Sequence, residues 1–190
     1  GHVRVYEYDT TNGWEQLGSD ITGTSTADNF GHSLAISSDG SRIIIGAPQD
    51  DNNKGYVSTY HFDTTNSLWT KLVNDITGID NGDKFGWSVA MDASGNRIVV
   101  GAPNGGESDK GGYIRKYIYD EDNSDNYAWM PLTRLDIATH LRTHETTEGG
   151  ENDRLGYSVA ISGDGNRIVA GSLNKENKKA YFRVFYYTTA

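Results

Sequence analysis

The sequence contains no cysteine, which rules out both a disulfide framework and a thiolate metal site. It has no apolar run approaching the ~20 residues of a membrane-spanning helix, so membrane insertion is not expected. No signal-like segment opens the chain at Gly1, and a soluble protein is expected. Starting inside a strand pattern without an initiator Met, the chain reads as a processed product or a piece of something longer. Positive charge is scarce: 17 Lys and Arg stand against 26 Asp and Glu, for a net charge of −9. A phosphate-backbone partner needs clustered Lys and Arg, so nucleic acid is not an expected partner. What is abundant is 23 Gly, 12 Tyr and many Thr, with apolar residues in short runs. That is the composition of a β protein, in which helix is not expected to matter. At 190 residues the chain can bury a sizeable core.

The organising stretch is Asp83 to Pro103. From Phe85 to Met91 large residues (Phe85, Trp87, Val89, Met91) alternate with small ones, which predicts a strand with unlike faces. Ala93-Ser94-Gly95-Asn96 supplies turn chemistry, and Ile98-Val99-Val100 suits a strand buried on both faces. The same hairpin recurs at Asp28 to Pro48 and at Asp153 to Ser172.

Other pieces repeat with it. Residues 1 to 9 return as Gly55 to Asp63 and Gly112 to Asp120, with a degenerate copy from Ala180 to Tyr187. Each full copy is followed by Trp-x-x-Leu (Trp14 with Leu17, Trp69 with Leu72, Trp129 with Leu132) and then by Asp-Ile. The spacing is 55 residues from Phe30 to Phe85 and 70 from Phe85 to Leu155, the excess falling in connections. Four short strands per unit predict an all-β, propeller-type array of four-stranded antiparallel blades, about three repeats in all. The units read as a partial blade at 1–27 (third and fourth strands), a blade at 28–82, a blade at 83–152 with insertions at 121–128 and 138–152, and a partial blade at 153–190 (first to third strands). Because propellers usually need four or more blades, the array is expected to belong to a larger propeller or assembly.

Phe30-Gly31 followed by Gly46-Ala47-Pro48, and Phe85-Gly86 followed by Gly101-Ala102-Pro103, resemble the FG-GAP repeat of integrin α-subunit β-propellers. The third copy departs, with Leu155-Gly156 and then Gly171-Ser172-Leu173. The resemblance implies a propeller with the Phe-Gly strand innermost and an extracellular or cell-surface location. It also implies a calcium loop between the two strands. Here, however, the loops hold Asp39, Asp92 or Asp164 with too few further oxygens for six to eight ligands, and they read as plain hairpin turns with Gly at positive φ.

Candidate sites compete with simpler readings. Ser33, Ser88 and Ser158 lie mid-strand, which fits packing better than a nucleophile elbow. His140 and His144 would share a helix face and could hold a transition metal, against a solvated loop. Asp120, Asp122 and Asp125 form an acidic turn that is a weak calcium candidate, against a solvated connection. Arg42, Arg97 and Arg167 recur ahead of the second strand, where pairing with a carboxylate such as Asp39 or covering apolar surface is the stronger reading. Contact with a partner is expected at Val3, Tyr6, Tyr8, Trp14, Trp69, Phe182 and Phe185, against inter-blade packing. No catalytic constellation and no cofactor are expected. The chain therefore reads as a non-enzymatic adhesion, protein-binding or scaffold module. A filament subunit assembled through copies of itself, Phe182 and Phe185 of one chain against Val3 to Tyr8 of the next, is the alternative. An enzyme using a central pocket is the less favoured third.

Overall fold

The computed structural model describes residues 1–105, 111–119, 129–131, 141–145, 153–173 and 180–187. It is all-β, the one helical element among those residues being the single turn α1 (Asp50–Asn53). The first sheets hold β1 (His2–Val3) paired with β4 (Ile21–Thr22), and β2 (Tyr6–Asp9) paired with β3 (Gly13–Gln16). Next come β5 (Ser33–Ile36), β6 (Arg42–Ala47), β7 (Tyr56–Asp63) and β8 (Leu68–Lys71) in spatial order, with the short β9 (Ile76–Thr77) also on β7. The third group is β10 (Ser88–Met91), β11 (Arg97–Ala102), β12 (Tyr113–Tyr119) and β13 (Trp129–Pro131). The last sheet runs β14 (Leu141–Glu145), β17 (Ala180–Tyr187), β16 (Arg167–Leu173), β15 (Ser158–Ile161). Every named pairing is antiparallel, and the hairpin register repeats: Ser33 faces Gly46, Ser88 faces Gly101, and Ser158 faces Gly171. β10 packs between β5 and β15, so the Phe-Gly hairpins stack sheet on sheet.

Three expectations need correction. The strand expected from Phe85 starts only at Ser88, because Gly86 has φ 86° and belongs to a turn. Phe30-Gly31 and Leu155-Gly156 behave alike, with φ of 92° and 90° at the glycines, a conformation without penalty only for glycine. Leu155 is only half-buried, whereas Phe30 and Phe85 are buried. After Asp20 and Asp75, Ile21–Thr22 and Ile76–Thr77 form short strands that pair with β1 and with the start of β7. Residues 141–145, expected inside an insertion of the 83–152 blade, form the outer strand of the last sheet, where Thr143 faces Phe185. They satisfy the edge of β17 that would otherwise be open.

Stacking decides burial. Ile44 and Val99 occupy the same place in β6 and β11 and are both 0 % exposed, covered by the following sheet; their equivalent Val169 in β16 is 40 % exposed. At the other end, Val89 and Met91 of β10 are each 9 % exposed beneath β5, whereas Leu34 and Ile36 of β5 are 54 % and 52 % exposed. Among the described residues no inner strand covers β5. The hairpin turns follow the sequence reading, with Gly40, Gly95 and Gly165 at φ near 70° (72°, 73° and 70°). No helix among the described residues is long and apolar enough to cross a membrane.

Candidate functional site

Each Phe-Gly turn is built from the same five positions: Asp28 to His32, Asp83 to Trp87 and Asp153 to Tyr157. The second residue is left-handed in all three (Asn29 φ 56°, Lys84 φ 58°, Arg154 φ 56°), and the fifth donates its backbone N–H to the carbonyl of the second at 3.0, 3.1 and 3.2 Å. The leading carboxylate holds the turn. Asp28, fully buried, accepts from Phe30 N at 3.0 Å, Ser25 N at 3.1 Å and the Tyr56 hydroxyl at 2.7 Å. Asp83 likewise accepts from Ile79 N, Asp80 N and, at 2.7 Å, the Tyr113 hydroxyl. Burial would raise the Asp28 carboxyl, but the Tyr56 hydroxyl and the two backbone donors outweigh it and hold it below its ordinary range. Burial pushes the Tyr56 hydroxyl up to about 12, with Asp28 adding to the rise, and raises Tyr113 in the same way. This Asp–Tyr clamp was missed in the sequence, although its signal was there: Asp opens each hairpin and Tyr follows each of Gly55 and Gly112.

The glycine carbonyls of these turns knit the sheets. Ser33 Oγ donates to Gly86 O, and Ser88 Oγ to Gly156 O, both at 2.8 Å. Both serines thus bridge successive sheets. Arg97 Nη1 reaches Asp92 at 3.3 Å and Asp164 O at 3.0 Å, Arg42 reaches Asn96, and their stems lie over Gly165 and Gly95 of the next turn. The arginines bridge sheets as well, and Arg42 also stacks 4.7 Å from the Tyr119 ring centroid.

Stacking also brings the fifth residues together. The rings of His32 and Trp87 lie 4.6 Å apart and those of Trp87 and Tyr157 5.7 Å apart, with Lys84 Nζ 5.2 Å from the Trp87 ring. Partial burial and then the charge of Lys84 lower the His32 pKa, so the imidazole is neutral at pH 7. His32 and Tyr157 are exposed and Trp87 is half-buried between them, so the row offers aromatic surface beside a cation, which suits a partner held by stacking and cation–π contact. Among the described residues no group of three His, Asp or Glu side chains could hold a metal ion.

The expected contact residues separate. Tyr6, Tyr8, Trp14 and Phe182 are exposed, but Val3 and Phe185 are buried in the core, which removes them as contacts. Trp69 is half-buried and donates its indole N–H to Leu17 O at 2.9 Å, so it packs between sheets. Asp120, Asp122, Asp125 and His140 lie outside the described residues. His144 sits in β14, a strand, so the helical spacing that would join it to His140 does not apply.

In the hairpin turns, Asp39 accepts from Ser37 Oγ at 2.6 Å, and from Ser41 N and Oγ at 3.0 and 2.9 Å; the Ser37 hydroxyl, then those Ser41 groups, hold it at about 2. Asp92 and Asp164 are engaged by their own turns in the same manner. Removing calcium with a chelator is therefore expected to leave the melting temperature unchanged by differential scanning fluorimetry. A large drop would restore a calcium role, either in these hairpin turns or at Asp120, Asp122 and Asp125.

These features define an all-β array of stacked antiparallel sheets joined through Phe-Gly turns. The chain carries FG-GAP repeats: the family model of that description matches residues 22–60 and 77–114. No curated protein sequence matches it. Among solved structures the chain is similar to the periplasmic gluconolactonase of Pseudomonas aeruginosa, with TM-score 0.52 and 14 % identity over 94 % of this chain and 45 % of that one. It is also similar to a candidate 6-phosphogluconolactonase of Bacteroides fragilis NCTC 9343, with TM-score 0.50 and 16 % identity over 94 % and 47 % of the two chains. The chain spans about half the length of these structures, and the likeness is one of propeller-like fold.

Proposed function

We propose that this chain is a non-enzymatic, extracellular FG-GAP module that binds other proteins, in adhesion or scaffolding, through the His32–Trp87–Tyr157 row. The observation that carries this reading is the row itself. Ser33, Ser88, Arg42 and Arg97 are occupied in joining sheets, and Asp28 and Asp83 in holding their turns, whereas the fifth residue of each turn is aromatic three times and the three rings stand in one row. An aromatic anchor at the centre of a protein interface typically contributes about 2 kcal/mol or more, about thirty-fold in affinity.

The test compares wild type with Trp87→Ala for binding to immobilised extracellular matrix proteins and to cell surfaces, and for hydrolysis of glucono-δ-lactone. Saturable binding that weakens at least ten-fold in the variant, with no lactone turnover, is the expected result. Lactone turnover without binding would replace this reading with that of a central-pocket enzyme.

A further inference from the structure

The dipeptide Asn-Gly occurs three times, at Asn12-Gly13, Asn81-Gly82 and Asn104-Gly105. In this pair an asparagine side chain is open to attack by its own main chain, because the following nitrogen belongs to a residue without a Cβ to shield it and with wide backbone freedom. Asparagine is for that reason among the thermolabile residues of proteins. By sequence the three pairs are equivalent, and the fold makes them different.

Asn12 is exposed, but Gly13 opens β3 and is paired with Asp9 at the end of the β2–β3 ladder, while the Asn12 N–H donates to Asp9 Oδ1 at 2.8 Å. Asn104 is half-buried and Gly105 buried. The Gly105 N–H donates to Ala102 O at 3.1 Å, and a Cβ on Gly105 would run into the Tyr113 ring. In both pairs the nitrogen that must attack is held or covered. Asn81 and Gly82 stand in the loop between β9 and β10, and their situation is the opposite. Asn81 is exposed, Gly82 has φ 91° with nothing within 4 Å of its Cβ position, and among the described residues no hydrogen bond holds the Gly82 N–H. Here the nitrogen is neither bonded nor crowded.

We propose that Asn81 is a selective site of spontaneous deamidation, and that the conversion loosens the carboxylate clamp of the middle Phe-Gly turn. The Gly82 nitrogen gives its proton to solvent and forms a bond to Asn81 Cγ; the bond from Cγ to the side-chain nitrogen breaks, and that nitrogen takes up a proton and leaves as ammonia. Position 81 then carries a succinimide. Water opens the ring at either carbonyl: cleavage between Cγ and the ring nitrogen gives aspartate, and cleavage between the main-chain carbonyl carbon and that nitrogen gives isoaspartate, whose backbone is one methylene longer. Water is the only co-reactant, and nothing is oxidised or reduced. Both products place a negative charge between Asp80 and Asp83. Asp83 accepts from Ile79 N at 3.1 Å and Asp80 N at 3.0 Å, and its own N–H donates to Asp80 O at 3.3 Å, so the loop closes across position 81. Like charges at this spacing oppose that closure, and the longer isoaspartyl backbone alters the span it must cover. The modification concerns the loop and stands whether or not the aromatic row binds a partner.

The test incubates the full chain at pH 8 and 37 °C, folded and in parallel unfolded in guanidinium chloride, and follows conversion at the three asparagines by peptide mapping with mass spectrometry. In the folded chain Asn81 is expected to convert at least ten-fold faster than Asn12 or Asn104. In guanidinium chloride that preference should fall at least five-fold, because the fold and not the dipeptide sets it. The isoaspartyl form, separated by anion exchange and identified by isoaspartyl methyltransferase labelling, is expected to melt about 2–4 °C below fresh protein, roughly the shift of one lost hydrogen bond in a chain of this size. Asn81→Gln, aged in the same way, should keep its starting melting temperature. A preference below ten-fold in the folded chain, or one that survives unfolding, would overturn the assignment of the site. An isoaspartyl form that melts with fresh protein, or an aged Asn81→Gln that loses stability as wild type does, would overturn the effect on the clamp.

Discussion

Gly86→Val is expected to be the most damaging single substitution in the second hairpin. A Cβ at this position would lie 2.5 Å from Tyr56 O and 3.2 Å from Ala47 N, both backbone atoms that cannot yield without shifting β6 and β7. The residue also has φ 86°, which a β-branched side chain adopts only under strain. Overpacking costs about 1–3 kcal/mol and the backbone conformation about 1–3 more, so the sum is about 4 kcal/mol. At about 2–4 °C per kcal/mol for a chain of this size, the melting temperature should fall by roughly 10 °C. Calorimetry that finds it unchanged would refute the placement of the Phe-Gly turn between β6 and β7. Gly82, with φ 91° and nothing within 4 Å of its Cβ, provides the control: Val there should suffer the backbone cost alone.

Asp28→Ala should come second, with a loss of about 3 kcal/mol. It leaves the Phe30 and Ser25 N–H groups and the Tyr56 hydroxyl without their common acceptor, at about 1–3 kcal/mol for each buried group left unmade. The substitution should also alter the response to acid. The folded Asp28 pKa lies below the unfolded value of about 3.9, so the unfolded chain binds more protons as pH falls. Its contribution is therefore complete above about pH 5 and is lost as pH falls through the folded pKa. Asp20, held at about 2 first by the Arg4 hydrogen bond, and Asp39 act with the same sign. Urea unfolding at pH 7, 4 and 3 should show the gap between wild type and Asp28→Ala narrowing toward low pH. A gap that stays constant would mean that Asp28 is not charged in the folded state.

Much of this architecture could be read from residues alone. Period-2 alternation over Val89 to Met91, the β-branched runs Ile43-Ile44-Ile45 and Ile98-Val99-Val100, and turn glycines at 40, 95 and 165 are local signals, and each one specifies its own element. The threefold return of these signals, twice with Phe-Gly ahead of Gly-Ala-Pro, determined the repeat and its four-strand unit. Less local features were misread. Gly86 and Trp87 continue the alternation of Phe85 to Met91, so nothing in the pattern separates a turn glycine from a strand glycine until the carbonyl of Gly101 is seen to pair with Gly86 N. The alternation could not assign β14 to the last sheet either, because strand order depends on pairing between distant segments.

The candidate site was less legible than the fold. His32, Trp87 and Tyr157 stand 55 and 70 residues apart and differ in type, so only the stacking of three sheets places their rings in one row. Likewise Trp14, Trp69 and Trp129 have the same local sequence context, yet one is exposed and two are packed. Local sequence determines which way a side chain leaves its strand. Whether that direction leads to solvent, a neighbouring sheet or a second chain is decided by what stacks against the strand, and that is a property of the assembled array alone.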